Sequence, residues 1–224
     1  MTVAANRSPT AAPARGAILD AAEELFALHG FAATTIKQIG TRAHVNTALL
    51  YYYFPDKLGL YRAVLGRIAA ALAGFAGAPL KQARTPAAAL RAIVRGQTQL
   101  LVHHPRAAAL VIRELLDHDA SNADPAIQAL ASSLFRPAVA ALNLGKAGGS
   151  VRSDLRAEFA TISTVSQLVY FTLAKPVIRV LLEEGPDYPT EADVQEFGRH
   201  AEAFAAAGVA TKSGKRTSTA NRGR

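Results

Sequence analysis

The stretch VNTALLYYYFPDK at residues 45–57 gathers an unusual set of hydrogen-bonding groups. Three consecutive tyrosines, half of the chain's six, lie between a threonine and a lysine. Read as a helix, Leu50 and Phe54 are four apart and share a face, with Val45 beside them in the preceding turn, so these three are core. The opposite face falls to Thr47, Ala48 and Tyr51, flanked by Leu49 and Tyr52. A face built only to meet water is normally charged, and this one carries no charge. Its hydroxyls and phenols can donate or accept hydrogen bonds without burying a charge. Lys37 stands on the same side, at the start of the preceding helix. Lys57 opens the next one, where an ammonium and the free N–H groups of a helix start can meet a phosphate together. At about 100° per residue, three adjacent tyrosines cannot face one target equally. Tyr51 belongs to the outward face, Tyr52 flanks it, and Tyr53 is shared with packing.

The elements that must hold these groups follow from apolar spacing. Ile18, Ala22, Leu25 and Phe26 form one stripe of a helix over residues 14–29, with Gly30 as its stop. Thr34 or Thr35 can cap a short helix carrying Ile36, Ile39 and Ala43 on one face. Asn46 caps a second short helix over residues 47–53. Pro55-Asp56 breaks the chain again, and Asp56 caps a long helix that begins at Lys57 and continues through Leu58, Tyr61, Leu65 and Ile68. Two short helices joined by a tight turn and resting on a preceding amphipathic helix make a helix-turn-helix arrangement.

The run ILDAAEELFALHGFAATTIKQIGTRAHVNTALLYYYFPDKLGLYRAVL (18–65) resembles the DNA-binding domain of the TetR, or tetracycline-repressor, family of bacterial transcriptional regulators. Its matching features are Ala-Ala-x-x-Leu-Phe, the Gly-Phe-x-x-Thr-Thr entry, Ile-Gly at 39–40, and Leu-Tyr-x-x-Phe followed by Lys57. The resemblance implies that Thr47, Ala48 and Leu49 begin a recognition helix in the major groove. Tyr51 would lie between bases and backbone, Tyr52 and Tyr53 would contact phosphates, Lys57 would clamp a phosphate, and Lys37 would reach a base. The chemistry suits DNA: lysine donates to guanine acceptors, threonine donates or accepts, and Ala and Leu fit a thymine methyl. Three positions depart from the family pattern: His44 replaces a turn glycine, Gly40 a small alanine and Ala48 a common glycine.

Beyond residue 78 the helices lengthen. Pro86 opens one to about residue 103, with His103-His104 at its end; Pro105 opens another to about 119, and Pro125 a third to about 144. KAGGSVRSD (146–154) is a loop whose Asp154 caps a long apolar helix reaching about 174. Pro176 kinks or restarts that helix, and Thr190 with Asp193 begins the last one, to about 207. The plan is all-α, with nine or ten helices. It comprises a disordered tail over 1–13, a three-helix helix-turn-helix DNA-binding domain over 14–60 and a larger helical ligand-binding and dimerisation bundle over 61–208, reached through a long helix, then a disordered basic tail over 209–224.

In the larger half, polar groups on otherwise apolar helices are the candidates for lining a small-molecule pocket: Arg113, Glu114, Asp117, His118, Thr164, Gln167, Tyr170 and Phe171. Each has a plainer reading. Arg113 and Asp117 have the spacing of a helix-surface pair, and the stripe from Thr164 to Phe171 equally suits core or a dimer surface. Glu114 and His118 have metal-ligand spacing but no third ligand in sight, so no metal is expected. The family resemblance makes the last two long helices, about 155–182 and 190–207, the dimer surface.

Composition supports this plan. Half of the 224 residues are hydrophobic, dominated by Ala and Leu, which favours helices. With no cysteine, disulfides and thiolate-ligated metals are excluded. The N-terminus lacks the apolar region of a signal peptide, and no uninterrupted apolar run reaches the length of a membrane span, so a cytoplasmic protein without a membrane partner is expected. The formal charge of +8 sits mainly at the ends, with five bases and no acid in residues 211–224, while residues 68–210 hold thirteen of each sign. Basic ends of this kind are either solubilising tails or arms on a polyanion. No P-loop, Gly-x-Gly-x-x-Gly turn, Gly-x-Ser-x-Gly elbow or His-Glu-x-x-His occurs, so neither an enzyme nor a cofactor is expected. The expectation is a homodimeric repressor released from a palindromic double-stranded DNA operator by a small-molecule ligand. The alternative is a helical ligand-binding or scaffold protein whose DNA-reading head has lost specificity, since that face is short of Arg, Asn and Gln and His44 stands in the turn.

Overall fold

The computed structural model describes residues 11–118 and 120–211, and most of the two basic ends lies outside them. Eleven α-helices and one π-helical turn account for nearly all of the described chain. The first four are α1 (Ala11–Ala33), α2 (Ile36–Arg42), α3 (Thr47–Tyr53) and α4 (Lys57–Gln82). Next come α5 (Pro86–His103), α6 (Ala107–His118), α7 (Asp124–Leu130), the π turn (Ala131–Phe135) and α8 (Arg136–Ala147). The described residues close with α9 (Ala157–Leu173), α10 (Lys175–Leu182) and α11 (Glu191–Val209).

α1 starts three residues earlier than its apolar stripe requires and breaks at Gly30, whose φ of 81° only glycine adopts without strain. Thr35, not Thr34, caps α2, and Thr34 is buried with its hydroxyl donating to the carbonyls of Leu25 and Gly30. Two expectations fail in the larger half. The single helix expected over 125–144 is interrupted by the π turn, and Asp154 caps nothing. Its carboxylate is held by Arg152 two residues away, at 2.6 Å, and the residue at the start of α9 is Arg156. The last described residues also differ from a free tail: Val209 is buried and Ala210 bridges to Val151.

α4 is apolar around most of its circumference because α1, α5, α6 and α7 all pack on it. It is long and apolar enough to cross a membrane, but its neighbours account for that composition. Its first half belongs to a core with Ile18, Phe26, Ile39, Leu50 and Phe54 that also takes in Leu100 and Leu110 from α5 and α6. Its second half contributes Ala76 and Leu80 to a core with Ile93 and Leu134. α4 therefore runs through both halves of the molecule. It crosses α5 closely at Gly96, where a Cβ would stand 2.5 Å from that of Ala76. α11 closes the other side, with Phe197 stacked on Phe171 of α9 at 4.1 Å.

Candidate nucleic-acid interface

The interface is built from α2, its turn and α3. Thr35 and Gln38 form a reciprocal capping box that fixes the start of α2, the helix bearing Lys37. The turn is tight: the Val45 amide donates to the Gly40 carbonyl at 2.9 Å. A Cβ on residue 40 would stand 3.0 Å from the Val45 carbonyl oxygen, so the glycine in place of alanine relieves a crowded contact. His44 occupies the left-handed region at φ 55°, the conformation for which a glycine is the usual choice. The Asn46 side chain then accepts from the Leu49 amide at 2.7 Å and starts α3.

α3 is held down by Leu50, fully buried, and by Phe54 just beyond its end, with Arg15 of α1 over the Phe54 ring. Its other side is left to solvent. Thr47 and Ala48 are exposed, Leu49 is half-buried, and Tyr51 and Tyr52 are 54% and 78% exposed. Tyr53 is half-buried between them and the core, its ring 5.1 Å from that of Tyr52 and 6.5 Å from that of Phe54. Lys37 is exposed. Neither α2 nor α3 contains an acidic residue, so neither helix carries a charge that repels a phosphate backbone.

Lys57 differs from the expectation. Its ammonium donates to the carbonyls of Phe31, Ala32 and Thr34 at 2.9, 3.3 and 3.1 Å and covers the Phe31 ring. The three donors of the side chain are thus spent on the end of α1 and the residue after it. Asp56 meanwhile occupies the Gly59 amide at the start of α4. In this state Lys57 offers a phosphate its charge but no free hydrogen bond.

The eight polar candidates of the larger half are scattered. Arg113 turns to the C-terminal end of α1, donating to the carbonyls of Ala27 and Leu28 at 3.1 and 3.2 Å rather than pairing with Asp117, which is exposed. Glu114 is buried, accepting from the Asn122 backbone at 2.7 Å and hydrogen-bonded to Tyr61 of α4. The His118 side chain lies outside the described residues. Thr164 and Gln167 share a surface groove with Phe159 and Phe204, Tyr170 is exposed, and Phe171 is core. Arg113 and Glu114 therefore join α6 to α1 and α4, a role their i, i+4 spacing conceals. Among the described residues no cluster of three or more His, Asp or Glu could hold a metal.

Known proteins show the same division. Residues 18–64 match the model for bacterial regulatory proteins of the tetR family, and residues 86–209 match the C-terminal domain of the HTH-type transcriptional dual regulator CecR. The HTH-type transcriptional regulator RutR of Escherichia coli is 36% identical over 113 residues. That match covers 49% of this chain and 51% of RutR, about half the relative's length. The HTH-type transcriptional repressor NicS of Pseudomonas putida is 32% identical over 171 residues, 74% of this chain and 78% of NicS. In fold, the structure of the TetR family regulator PfmR from Thermus thermophilus superposes with a TM-score of 0.68. It does so at 19% identity, covering 85% of this chain and 97% of PfmR.

Proposed function

The chain belongs to the TetR family of bacterial transcriptional regulators, and we propose that it acts as a homodimeric repressor released from a palindromic operator by a small-molecule ligand. The observation that carries this reading is the outer face of α3, uncharged, phenol-bearing and anchored from behind by Leu50 and Phe54. Thr47, Ala48, Leu49 and Tyr51 would meet base edges, Tyr52 and Tyr53 phosphates, and Lys37 a guanine or the backbone. A dimer would set two such helices in successive major grooves, roughly 34–36 Å apart or a multiple of it. Support for a dimer on α9 and α11 comes from Phe159 and Phe204, 56% and 62% exposed beside one groove. Exposed rings so placed are better explained by burial against a second copy than by solvent.

Release would act through α4 and α6. α4 enters both cores, and α6 grips α1 through Arg113 and α4 through Glu114. A ligand that favours one placement of α6 would move the head with it, by no more than its differential affinity for the two states allows.

The test is an electrophoretic shift on the DNA upstream of the protein's own gene, comparing wild type with a Tyr51→Ala, Tyr52→Ala double variant whose fold is checked by circular dichroism. Saturable binding lost in the variant is expected. A folded variant that binds as tightly as wild type would remove α3 from the interface, and genome-wide footprinting without a preferred sequence would favour a non-specific head.

A further inference from the structure

A cavity of about 370 Å³ lies between α4, α5, α7, the π turn and α9. Leu72, Ile93, Leu134 and Phe135 are among the apolar residues of its wall, and none of the described residues that line it is charged. Its only polar side chains are Gln97 and Thr161, both buried. The Gln97 amide nitrogen donates to the Val165 carbonyl at 3.2 Å, while its Oε1 is buried with no hydrogen-bond partner. The Thr161 hydroxyl donates to the Ala157 carbonyl at 2.9 Å. The Thr161 hydroxyl has therefore used its donor, one N–H of Gln97 is engaged, and the hydroxyl oxygen and the Gln97 Oε1 present lone pairs. Buried polar atoms in folded proteins are nearly always partnered, so the Gln97 oxygen marks a place for a donor from outside. The π turn is a further sign: such irregular turns concentrate at functional sites. Here the hydroxyls of Ser132 and Ser133 donate to the carbonyls of Gln128 and Ala129.

Resting on the reading of the larger half as a ligand-binding module, we infer that this cavity takes an uncharged, largely apolar molecule that donates a hydrogen bond, through a hydroxyl or N–H, to Gln97 Oε1. A carboxylate is disfavoured because its lone pairs would face those of Thr161 and the Gln97 oxygen, and because no cation among the described residues lines the wall to balance its charge. A molecule of the same shape without a donor fits but leaves the amide oxygen unsatisfied. The size lies in the range of small-ligand pockets, and Ile127, partly exposed at the rim, gives an approach from α7.

Three probes of matched shape test this: 4-pentylphenol, its methyl ether and 4-pentylbenzoate. Binding is measured by calorimetry on the DNA-free protein, and by quenching in a Phe135→Trp variant, the chain having no tryptophan of its own. The phenol is expected to bind about tenfold tighter than the ether, the worth of one buried hydrogen bond, with the benzoate weakest. Gln97→Leu should bring phenol and ether within about twofold of each other, and Leu134→Trp, which fills the cavity, should weaken all three. Equal binding of phenol and ether to wild type would overturn the inference, as would preference for the benzoate or no binding at all. The wild-type ranking decides alone should a variant not fold. Donor-selective binding by a protein that shifts no DNA would uphold the cavity's chemistry and sink the repressor reading, whereas operator binding with no donor preference would do the reverse.

Discussion

The Lys57 ammonium stands 2.9 Å from the carbonyl oxygen of Phe31 and 4.4 Å from the centre of its ring, so a single side chain ties the start of α4 to the end of α1. A charged donor to a carbonyl is worth about 1.5–3 kcal/mol, and an ammonium over a ring in a half-open place about 0.5–1 kcal/mol. Partial solvent screening brings the sum down, and Lys57→Ala is expected to cost about 2 kcal/mol in urea unfolding. With its donors committed, the residue should contribute less than one unit to the salt slope of DNA binding. A full unit lost with stability unchanged would instead assign Lys57 to the phosphate.

His44 poses a second stability question, decided by two opposing terms. A side chain in the left-handed region costs about 1–2 kcal/mol, whereas glycine gives up about 0.5–1 kcal/mol of unfolded-chain entropy. At φ 55° the strain is the larger, so His44→Gly should stabilise the protein by about 0.5–1 kcal/mol in thermal or urea unfolding. DNA affinity should change little, because the substitution keeps the turn. A destabilised variant would mean that the imidazole contributes more than it costs.

The head was largely legible because its signals are local. Asn46, Asp56 and Thr190 cap the helices their positions suggested, and Leu50 and Phe54 are buried as their four-residue spacing implies. What escaped depends on partners far away in the chain. The carbonyls that hold Lys57 lie 23–26 residues before it, and those held by Arg113 lie about 86 away. Neither spacing leaves a periodic trace. The π turn at Ala131–Phe135 contains no glycine or proline to announce it, and Asp154 pairs with Arg152 while α9 begins only at Ala157. A lone glutamine on an apolar helix is equally silent: Gln97 acquires meaning only when α9 and the π turn close over it.

The three tyrosines should separate by function. Tyr52, the most exposed, can give its phenol to a phosphate, so Tyr52→Phe is expected to weaken binding about five- to tenfold, the worth of one hydrogen bond. The loss should be the same on operator and on unrelated DNA, since phosphate contacts carry no sequence. Tyr51→Phe should cost more on the operator than on unrelated DNA. Tyr53, packed against Tyr52 and Phe54, should show its effect in stability: Tyr53→Ala is expected to lose about 1–2 kcal/mol from partial burial of its ring. Gel shifts on both DNAs, with urea unfolding of each variant, read out the pattern. A Tyr52→Phe effect confined to the operator would place that ring on a base.

Tyr61 connects stability to pH. Burial, and then the neighbouring Glu114 carboxylate, raises its phenol well above the ordinary value near 10. The unfolded chain releases that proton near pH 10 while the folded protein keeps it, so unfolding releases a proton and stability falls as pH climbs beyond about 10. Below that value the contribution of Tyr61 is fully present. The limiting slope is about 1.4 kcal/mol per pH unit. Tyr61→Phe should remove this slope while costing about 1 kcal/mol near neutral pH, because Glu114 loses one partner and keeps Asn122. Urea unfolding from pH 8 to 11.5 measures both effects. An alkaline slope as steep in the variant as in wild type would place the titrating group elsewhere. A flattened slope would identify the α4–α6 contact as the one that alkali opens, and operator affinity measured over the same range would then report whether loosening α6 releases the head.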